Sequence, residues 1–457
     1  MGLSFSIQSS EIIDRLDPSF YDPDVVGTIR RLQRVATNSA AISGRLGEIA
    51  SLRKGIFEIL KEEYCTTGIP FVRVTDIRDL NMNFGDLVFI KPEKAKREPS
   101  TVPGRSLIIS KSGTVGTVSL VPPSMDICAV SQDVISGSFH PRAALSPEYV
   151  AAFLSTRLGK CQLLRGATQQ MQAHLNLTEA RNVLVVAPEP AVHDEVTSHI
   201  SNAYRERDEA RDYLKQSQAE LTKAIGIRVP RRFRMCYAVH SDLLDPESLA
   251  PAYYRVEALS LERTLRRTFP PARTIGEIFS IKRGGNPGMS AYGESGVPFI
   301  RTSDFPDNDI DLSPDHFISL DQARALDQDV RAGDLLFAQD GRVGDCAIVT
   351  PADFPLAYVG HVSRLRLRPE VEEYLDPGYV FAYLASNFAR IQIARFTVVQ
   401  STIPTIGERL LQLVIPELPM HDQQVVGRLV TKAFKLRSEA KTHVALAKSL
   451  IVKSFAS

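Results

Sequence analysis

One nine-residue stretch is written twice in this chain, as Gly68–Ile–Pro–Phe–Val–Arg–Val–Thr–Asp76 and as Gly296–Val–Pro–Phe–Ile–Arg–Thr–Ser–Asp304, with an offset of 228 residues. The same offset relates Gly113 and Gly116 (SGTVG) to Gly341 and Gly344 (DGRVG). It also relates Pro188 (VVAPEP) to Pro416 (LVIPEL), and His193–Asp194 to His421–Asp422. A repeat of this period constrains architecture before any local reading does. The chain is one unit written twice, and at 457 residues it is too long for one core.

Taken in order, each copy opens on a charged helical segment. Ile29, Leu32 and Val35 line the first, and Leu259, Leu261 and Leu265 the second. Each then reaches a β-like run ending in a basic pair and a glycine, LGEIASLRKG (Leu46–Gly55) or IGEIFSIKRG (Ile275–Gly284). The proline motif begins a short strand at Phe71–Val72 or Phe299–Ile300 and ends in turn residues. A hairpin follows. Ser106–Ser110 and Asp334–Ala338 lead into the SGTVG and DGRVG tips, whose glycines supply positive φ. Ser131–Gln132–Asp133 corresponds to Gly360–His361–Val362 at an offset of 229, and helices are expected over Pro147–Lys160 and Pro377–Arg390. Gln169–Gln172 and Gln400–Thr402 form closing loops before a last strand.

Beyond those strands the apolar period changes from two to three-and-four. Val196, Ile200, Ala203, Ala210, Leu214 and Leu221 make one stripe, interrupted by Arg207. Leu429, Ala433, Leu436, Ala440, Val444, Ala447 and Ile451 make the other. Sustained spacing of this kind with charged flanks predicts a coiled-coil seam. The expected fold class is α/β (α+β): two similar mixed domains at 1–190 and 227–418, with long helices at 191–226 and 419–457. The basic run Arg228–Val–Pro–Arg–Arg–Phe–Arg234 separates the copies and suits either a solvated linker or a phosphate contact.

Composition excludes more than it proposes. With 54 basic and 53 acidic residues the net charge is +1, so no global field advertises a polyanion, although a local basic groove is still allowed. Five scattered cysteines, none in a C-x-x-C pair, fit a reducing cytoplasm and argue against a zinc site or a disulfide framework. No run approaches the eighteen apolar residues of a membrane span and no secretory leader opens the chain, which leads us to expect a cytoplasmic protein. Met1–Gly2 with Ser6 matches the short myristoylation pattern by coincidence.

Motifs for catalysis are missing as well. The chain has no G-x-x-x-x-G-K-[ST] phosphate loop, no metal-spaced histidines and no G-x-S-x-G elbow. Asp17–Pro–Ser–Phe20 approaches the D-P-P-[YFW] loop of amino-methyltransferases, but its third residue differs and no glycine-rich cofactor loop accompanies it. It reads as a turn into a helix. Gly284–Gly–Asn–Pro–Gly288 lacks a following helix and reads as a loop.

Tandem G-x-P-[FI]-x-R-x-x-D, then G-D-L-L-F-x-x-x-G-x-x-G, then Q-S-T-I-P before a long helix, resemble the specificity subunit of type I restriction-modification systems. The resemblance runs from about Ser10 to the C-terminus. The first copy departs where Arg105–Ser106 replaces Gly–Asp and Gln172–Ala–His–Leu replaces Q-S-T-I. The resemblance implies two target-recognition domains joined by antiparallel long helices, each domain reading one half of a split double-stranded DNA target. It implies no catalytic activity and no cofactor of the chain's own; S-adenosylmethionine belongs to the methyltransferase partner. It implies two methyltransferase partner subunits and, in a complete enzyme, motor-nuclease subunits. A helix of about 34 residues is roughly 50 Å long, or roughly 15 base pairs, so the helices would act as a ruler between half-sites.

The polar ends of the paired motifs are the candidate DNA contacts. They are Arg73, Thr75, Lys111, Ser112, Gln169 and Gln172 in the first domain. In the second they are Arg301, Thr302, Ser303, Gln339, Arg342, His361, Arg364, Gln400 and Ser401. Arg and Lys suit guanine edges, Gln suits adenine, and Ser and Thr serve bases or phosphates. Each has a plainer reading. Arg73 with Asp76, like Arg301 with Asp304, can brace a turn, and His361 can be a satisfied fold residue. Arg342, at a hairpin tip, is the first choice for a DNA contact. Two other functions fit the same residues less well: a recognition subunit of a methylation-based defence system without a motor, or a divergent stand-alone DNA methyltransferase.

Overall fold

Leu107–Ile108–Ile109 and Leu335–Leu336–Phe337, the apolar runs of the two hairpins, are buried strands at the centre of two sheets. The computed structural model describes residues 18–55, 59, 61–95, 101–168, 174–229, 236–241, 244–245, 248, 250–400 and 402–456. Gln169, Gln172 and Ser401 lie outside the described residues, as do the side chain of Gln400 and most of the basic run after Arg228. The chain divides into two units, Met1–Asp208 with Ala440–Ser457, and Glu209–Glu439. The long helices are therefore not units of their own: each is shared.

In the first unit, helix α1 (Pro23–Ala36) starts from Asp22, whose carboxylate accepts from the Asp24 and Val25 amides. The strands that carry the argument are β1 (Ala50–Lys54), β2 (Ile69–Val72), β3 (Leu107–Ser110), β4 (Val118–Leu120), β5 (Ile127–Val130) and β6 (Val134–Phe139). One sheet has the order β1-β6-β3-β4, antiparallel throughout. In the other, β2 runs parallel to β5. Helices α2 (Pro147–Ser155) and α3 (Arg157–Arg165) cover the first sheet, and α4 (Pro190–Ile225) follows.

The second unit repeats the order. After α5 (Val256–Thr268) come β7 (Phe279–Arg283), β8 (Val297–Ile300), β9 (Leu335–Ala338), β10 (Cys346–Ile348), β11 (Ala357–Tyr358) and β12 (Val362–Leu367). The antiparallel sheet is β7-β12-β9-β10, and β8 runs parallel to β11. Helices α6 (Pro377–Leu384), α7 (Asn387–Phe396) and α8 (Met420–Ser454) complete it. Each expected single helix near the end of a domain is thus two. Ser386 caps α7 through the Ala389 amide, and the Thr156 hydroxyl turns back to the Phe153 carbonyl, which ends α2.

Side-chain hydrogen bonds correct the register of the repeat. Tyr149 donates to the Val186 carbonyl at 2.8 Å, and Tyr379 donates to the Pro416 carbonyl at 2.6 Å. Gln162 clamps both backbone groups of Leu184, and Gln392 does the same to Val414. These pairs are 230 residues apart, so Pro416 matches Val186, not Pro188. His193, which accepts from the Ser146 amide, matches Gln423, which accepts from the Asp376 amide. Two of the sequence anchors therefore slip by two residues. The strand anchors keep 228, because Lys111 N donates to Asp133 O as Gln339 N donates to His361 O. His361 accordingly stands where Asp133 does.

In the first unit Val196, Ile200 and Tyr204 of α4 pack with Ala447, Ile451 and Phe455. In the second, Leu221 and Ile225 pack with Val426, Val430 and Phe434 of α8. The α8 seam begins on Val426, Val430 and Phe434 rather than on Leu429 and Leu436, which are half-buried. Phe434 meets Phe381 edge-on at 4.9 Å. Burial of side chains of this size contributes about 1.5–3 kcal/mol each, which ties both helices to the globular parts. Among the described residues, no helix is long and apolar enough to cross a membrane.

Candidate nucleic-acid interface

The tips of the two hairpins are built alike. Gly113 and Gly116 have φ of 69° and 82°, and Gly341 and Gly344 of 72° and 98°; glycine enters this left-handed region at no steric cost. Gly116 N donates to Ser110 O, and Gly344 N to Ala338 O, both at 3.0 Å. A Cβ on Gly113 would meet Val74 at 3.8 Å, and one on Gly341 would meet Thr302 at 3.3 Å. Val74 and Thr302 belong to the Arg–x–x–Asp turns. Tip and turn are neighbours in each unit.

A third stretch joins them. In the second unit Val398–Gln400 and Ile403–Thr405 form an antiparallel hairpin, the Q-S-T-I-P segment. Gly341 N donates to Pro404 O at 2.8 Å, and Ile406 N donates to Gln339 O at 3.0 Å. In the first unit Leu175 N donates to Lys111 O at 3.0 Å. Three segments far apart in sequence thus meet at one edge, and each brings polar side chains.

The turns differ in how their arginines are used. Arg73 grips Asp76 with Nε and Nη2, each at 2.9 Å, and Nη2 also donates to Asp86 O at 2.7 Å. Asp76 is fully buried, and its hydrogen bond raises the Arg73 pKa. Arg73 is therefore a brace. Arg301 keeps the backbone half of this motif, its amide donating to Asp304 at 2.8 Å. Its guanidinium lies instead 3.3 Å from His316 Nδ1, and Ser303 donates to Asp304 at 2.9 Å. Burial pushes the Asp304 carboxyl up, against the hydrogen bonds from Arg301 and Ser303. Arg301 and Ser303 are exposed.

Beside the second tip, one carboxylate organises three groups. Asp340 accepts from Arg283 Nη2 at 2.8 Å, lies 2.7 Å from His361 Nδ1, and is hydrogen-bonded to Thr405. Burial alone would push its carboxyl up. Hydrogen bonds from Thr405 and His361, with the Arg283 charge, outweigh that and hold it below the ordinary range. An ionised carboxylate only accepts, so Nδ1 of His361 carries the proton it shares with Asp340. The cluster borders a cleft of about 870 Å³ that also includes Asp245 and Arg409.

The remaining candidates separate by exposure. Thr75 is exposed and touches Asp76 at 3.4 Å, and Lys111 and Ser112 are half-buried at the first tip. Among the described residues Lys111 has no ion pair. Arg342 is exposed at the second tip, its Nε 2.6 Å from Asp345. Two candidates need correction. Arg364 is only 5% exposed and leans on Asp329, because strand β12 turns it inward; Gln339 is 8% exposed under the hairpin. Neither presents an edge to a ligand in this arrangement.

Sequence reasoning missed two positioning residues. Arg207 of α4 donates to the Leu80 carbonyl in the first unit. Arg437 of α8 donates to the Asn308 and Asp307 carbonyls at 2.7 Å in the second. Leu80 and Asn308 both have positive φ, 52° and 59°, so each long helix holds an equivalent strained turn. The signal was present: Arg207 broke an apolar stripe, and Arg437 stands 230 residues later. Arg283, the last residue of β7, was passed over as half of a basic pair.

No protein-family model matches the chain, and no curated protein matches it. Among solved structures it is similar to the type I restriction-modification S subunit from M. genitalium, at 12% identity and a TM-score of 0.36, covering 92% of this chain and 95% of that one. A structure described as concerning complex assembly and conformational transition of the type I restriction-modification system matches at 17% identity and a TM-score of 0.30, covering 92% and 98%. The HsdS subunit from Thermoanaerobacter tengcongensis matches at 17% identity and a TM-score of 0.29, covering 91% and 97%.

Proposed function

We propose that this chain is the DNA-sequence-specificity subunit of a type I restriction-modification complex or a related anti-phage assembly. The observation that carries the reading is the meeting, in the second unit, of the Arg301–Asp304 turn, the Gln339–Gly344 tip and the Val398–Thr405 hairpin at one polar edge. The first unit repeats the tip-to-turn contact and the strand order, which supports a duplicated body. An edge that mixes fixed guanidinium, hydroxyl and imidazole groups suits the donors and acceptors of base edges.

On this reading the target is bipartite double-stranded DNA, one half-site for each unit. The recognition domains are 1–190 and 227–418, and the coiled-coil helices 191–226 and 419–457 set the half-site spacing. Methyl transfer belongs to two methyltransferase subunits carrying S-adenosylmethionine, motor-nuclease subunits join in a complete enzyme, and the chain works in the cytoplasm. The contact set is Arg301, Thr302, Ser303, Arg342 and His361 in the second unit, with Thr75, Lys111 and Ser112 in the first. Gln169, Gln172, Gln400 and Ser401 are proposed from sequence alone.

Long-read mapping of modified bases, in a host carrying this chain with its genomic neighbours, tests the proposal. A split motif with a fixed gap that disappears when this chain is deleted is expected. Methylation that persists without the chain would remove the specificity role.

A further inference from the structure

We infer that Arg283 is a specificity-determining residue that reads a guanine in the half-site of the second unit, with Asp340 as its buttress. The inference rests on the reading of the chain as a DNA-specificity subunit and adds a residue and a base to it.

The geometry of one guanidinium carries the argument. Arg283 closes strand β7, paired with Ser363 of β12, so its backbone is fixed by the sheet. Its Nε donates to the Gly360 carbonyl at 2.6 Å, and its Nη2 donates to Asp340 at 2.8 Å. These bonds occupy the side-on edge of the fork, the one made by Nε–H and the nearer Nη2 hydrogen. The opposite edge, made by Nη1 and the second Nη2 hydrogen, presents two parallel donors. Among the described residues it has no partner, and the side chain is 58% exposed. Two parallel N–H groups match the O6 and N7 acceptors of guanine in the major groove, a pattern no other base offers there.

The buttress is what separates this arginine from a phosphate contact. A phosphate accepts an arginine from many directions, whereas base reading needs the fork held at a set angle. Asp340 supplies that hold because it is itself fixed: its side chain is 9% exposed and bound by Thr405 and His361. A carboxylate on the inner edge also pre-orders the arginine before DNA arrives, which reduces the entropy lost on binding. The first unit lacks the device. Strand pairing puts Lys54 where Arg283 stands, and the tip register puts Ser112 where Asp340 stands. An ammonium on a flexible stem has no planar fork.

The test uses the full chain assembled with its methyltransferase partner, on the duplex found by methylation mapping. Each guanine is replaced in turn by 7-deazaguanine, which lacks the N7 acceptor. For the unaltered complex, one guanine should stand out, with binding falling when its N7 is removed. Arg283→Ala should lower affinity for the natural duplex by roughly 5- to 150-fold, with no further loss from 7-deazaguanine at that position. Arg283→Lys, which keeps the charge without the planar fork, should recover only part of the affinity and show a weaker preference for that base. Losses that multiply at every guanine, or an Arg283→Ala complex that methylates an unchanged motif, would overturn the guanine assignment while leaving the specificity role standing. Sequence-independent binding by the unaltered complex would remove both.

Discussion

The two units use the same turn for different ends. In the first, Arg73 is spent on Asp76 and the Asp86 carbonyl, so the turn is closed on itself. In the second, the equivalent guanidinium of Arg301 leaves its carboxylate to Ser303 and lies at the exposed edge beside His316. The same contrast recurs at the tip, where Lys111–Ser112–Gly–Thr faces Gln339–Asp340–Gly–Arg. A duplicated scaffold thus keeps its backbone bonds and changes which side chains are available. What the scaffold preserves holds the fold, and what varies on it selects a ligand.

The comparison is tested hardest by the arginines that tie helix to domain. Arg437 has 4% of its side chain exposed and serves two carbonyls, with Asp307 at 3.6 Å. Arg437→Ala should destabilise the second unit by about 3–5 kcal/mol, because two half-buried carbonyls and a carboxylate lose the buried guanidinium they share. Arg207 is half-buried, against the nearly full burial of Arg437, and donates to the Leu80 carbonyl, so Arg207→Ala should cost less, about 1–2 kcal/mol in the first unit. Urea unfolding followed by hydrogen exchange in each unit reads both. Equal losses would break the claim that the second helix-to-domain tie is the stronger.

The next pair exchanges the roles of the turn arginines. Arg73→Ala strips a fully buried Asp76 of its counter-charge and should lower the stability of the first unit by about 2–3 kcal/mol. Arg301→Ala, at an exposed side chain, should change stability by less than about 0.5 kcal/mol and weaken DNA binding instead. Paired unfolding and DNA titration separate the two. A thermal loss at Arg301 matching that at Arg73 would make both turns purely structural.

These residues also show how far the sequence could be read. The repeat, the hairpin tips and the long helices were legible because glycine turns and apolar periods leave local marks. The register is plain as far as β6; beyond it two extra residues shift the match to 230, an offset the expected helices from Pro147 and Pro377 already share and side-chain partners such as Tyr379 and Pro416 fix. Side-chain roles were the hardest. Arg364 and Arg366 share one face of β12, yet the former is the more buried, since it is paired on both sides, with Lys282 and Leu336, and the latter only with Ser280. Arg283 looked like ordinary surface charge because its partner Asp340 lies 57 residues away in sequence.

The smallest effect should come from the hairpin tip itself. Arg342 stands at the position of Thr114 in the first unit, exposed and hydrogen-bonded to Asp345 on its own turn. The fork of Arg283 is held by Asp340 and Gly360 from two other segments, whereas Asp345 lies on Arg342's own tip, so the expected contact of Arg342 is a phosphate. Arg342→Thr, which makes the second tip resemble the first, should weaken binding by about 1 kcal/mol. It should also lower the salt dependence by about one phosphate contact, equally for every duplex tested and with methyltransferase assembly intact. Arg283→Ala should do the reverse, changing one base preference and leaving the salt slope nearly constant. If Arg342→Thr altered the methylated motif, the tip would be a base reader, and the division of roles between Arg283 and Arg342 would fail.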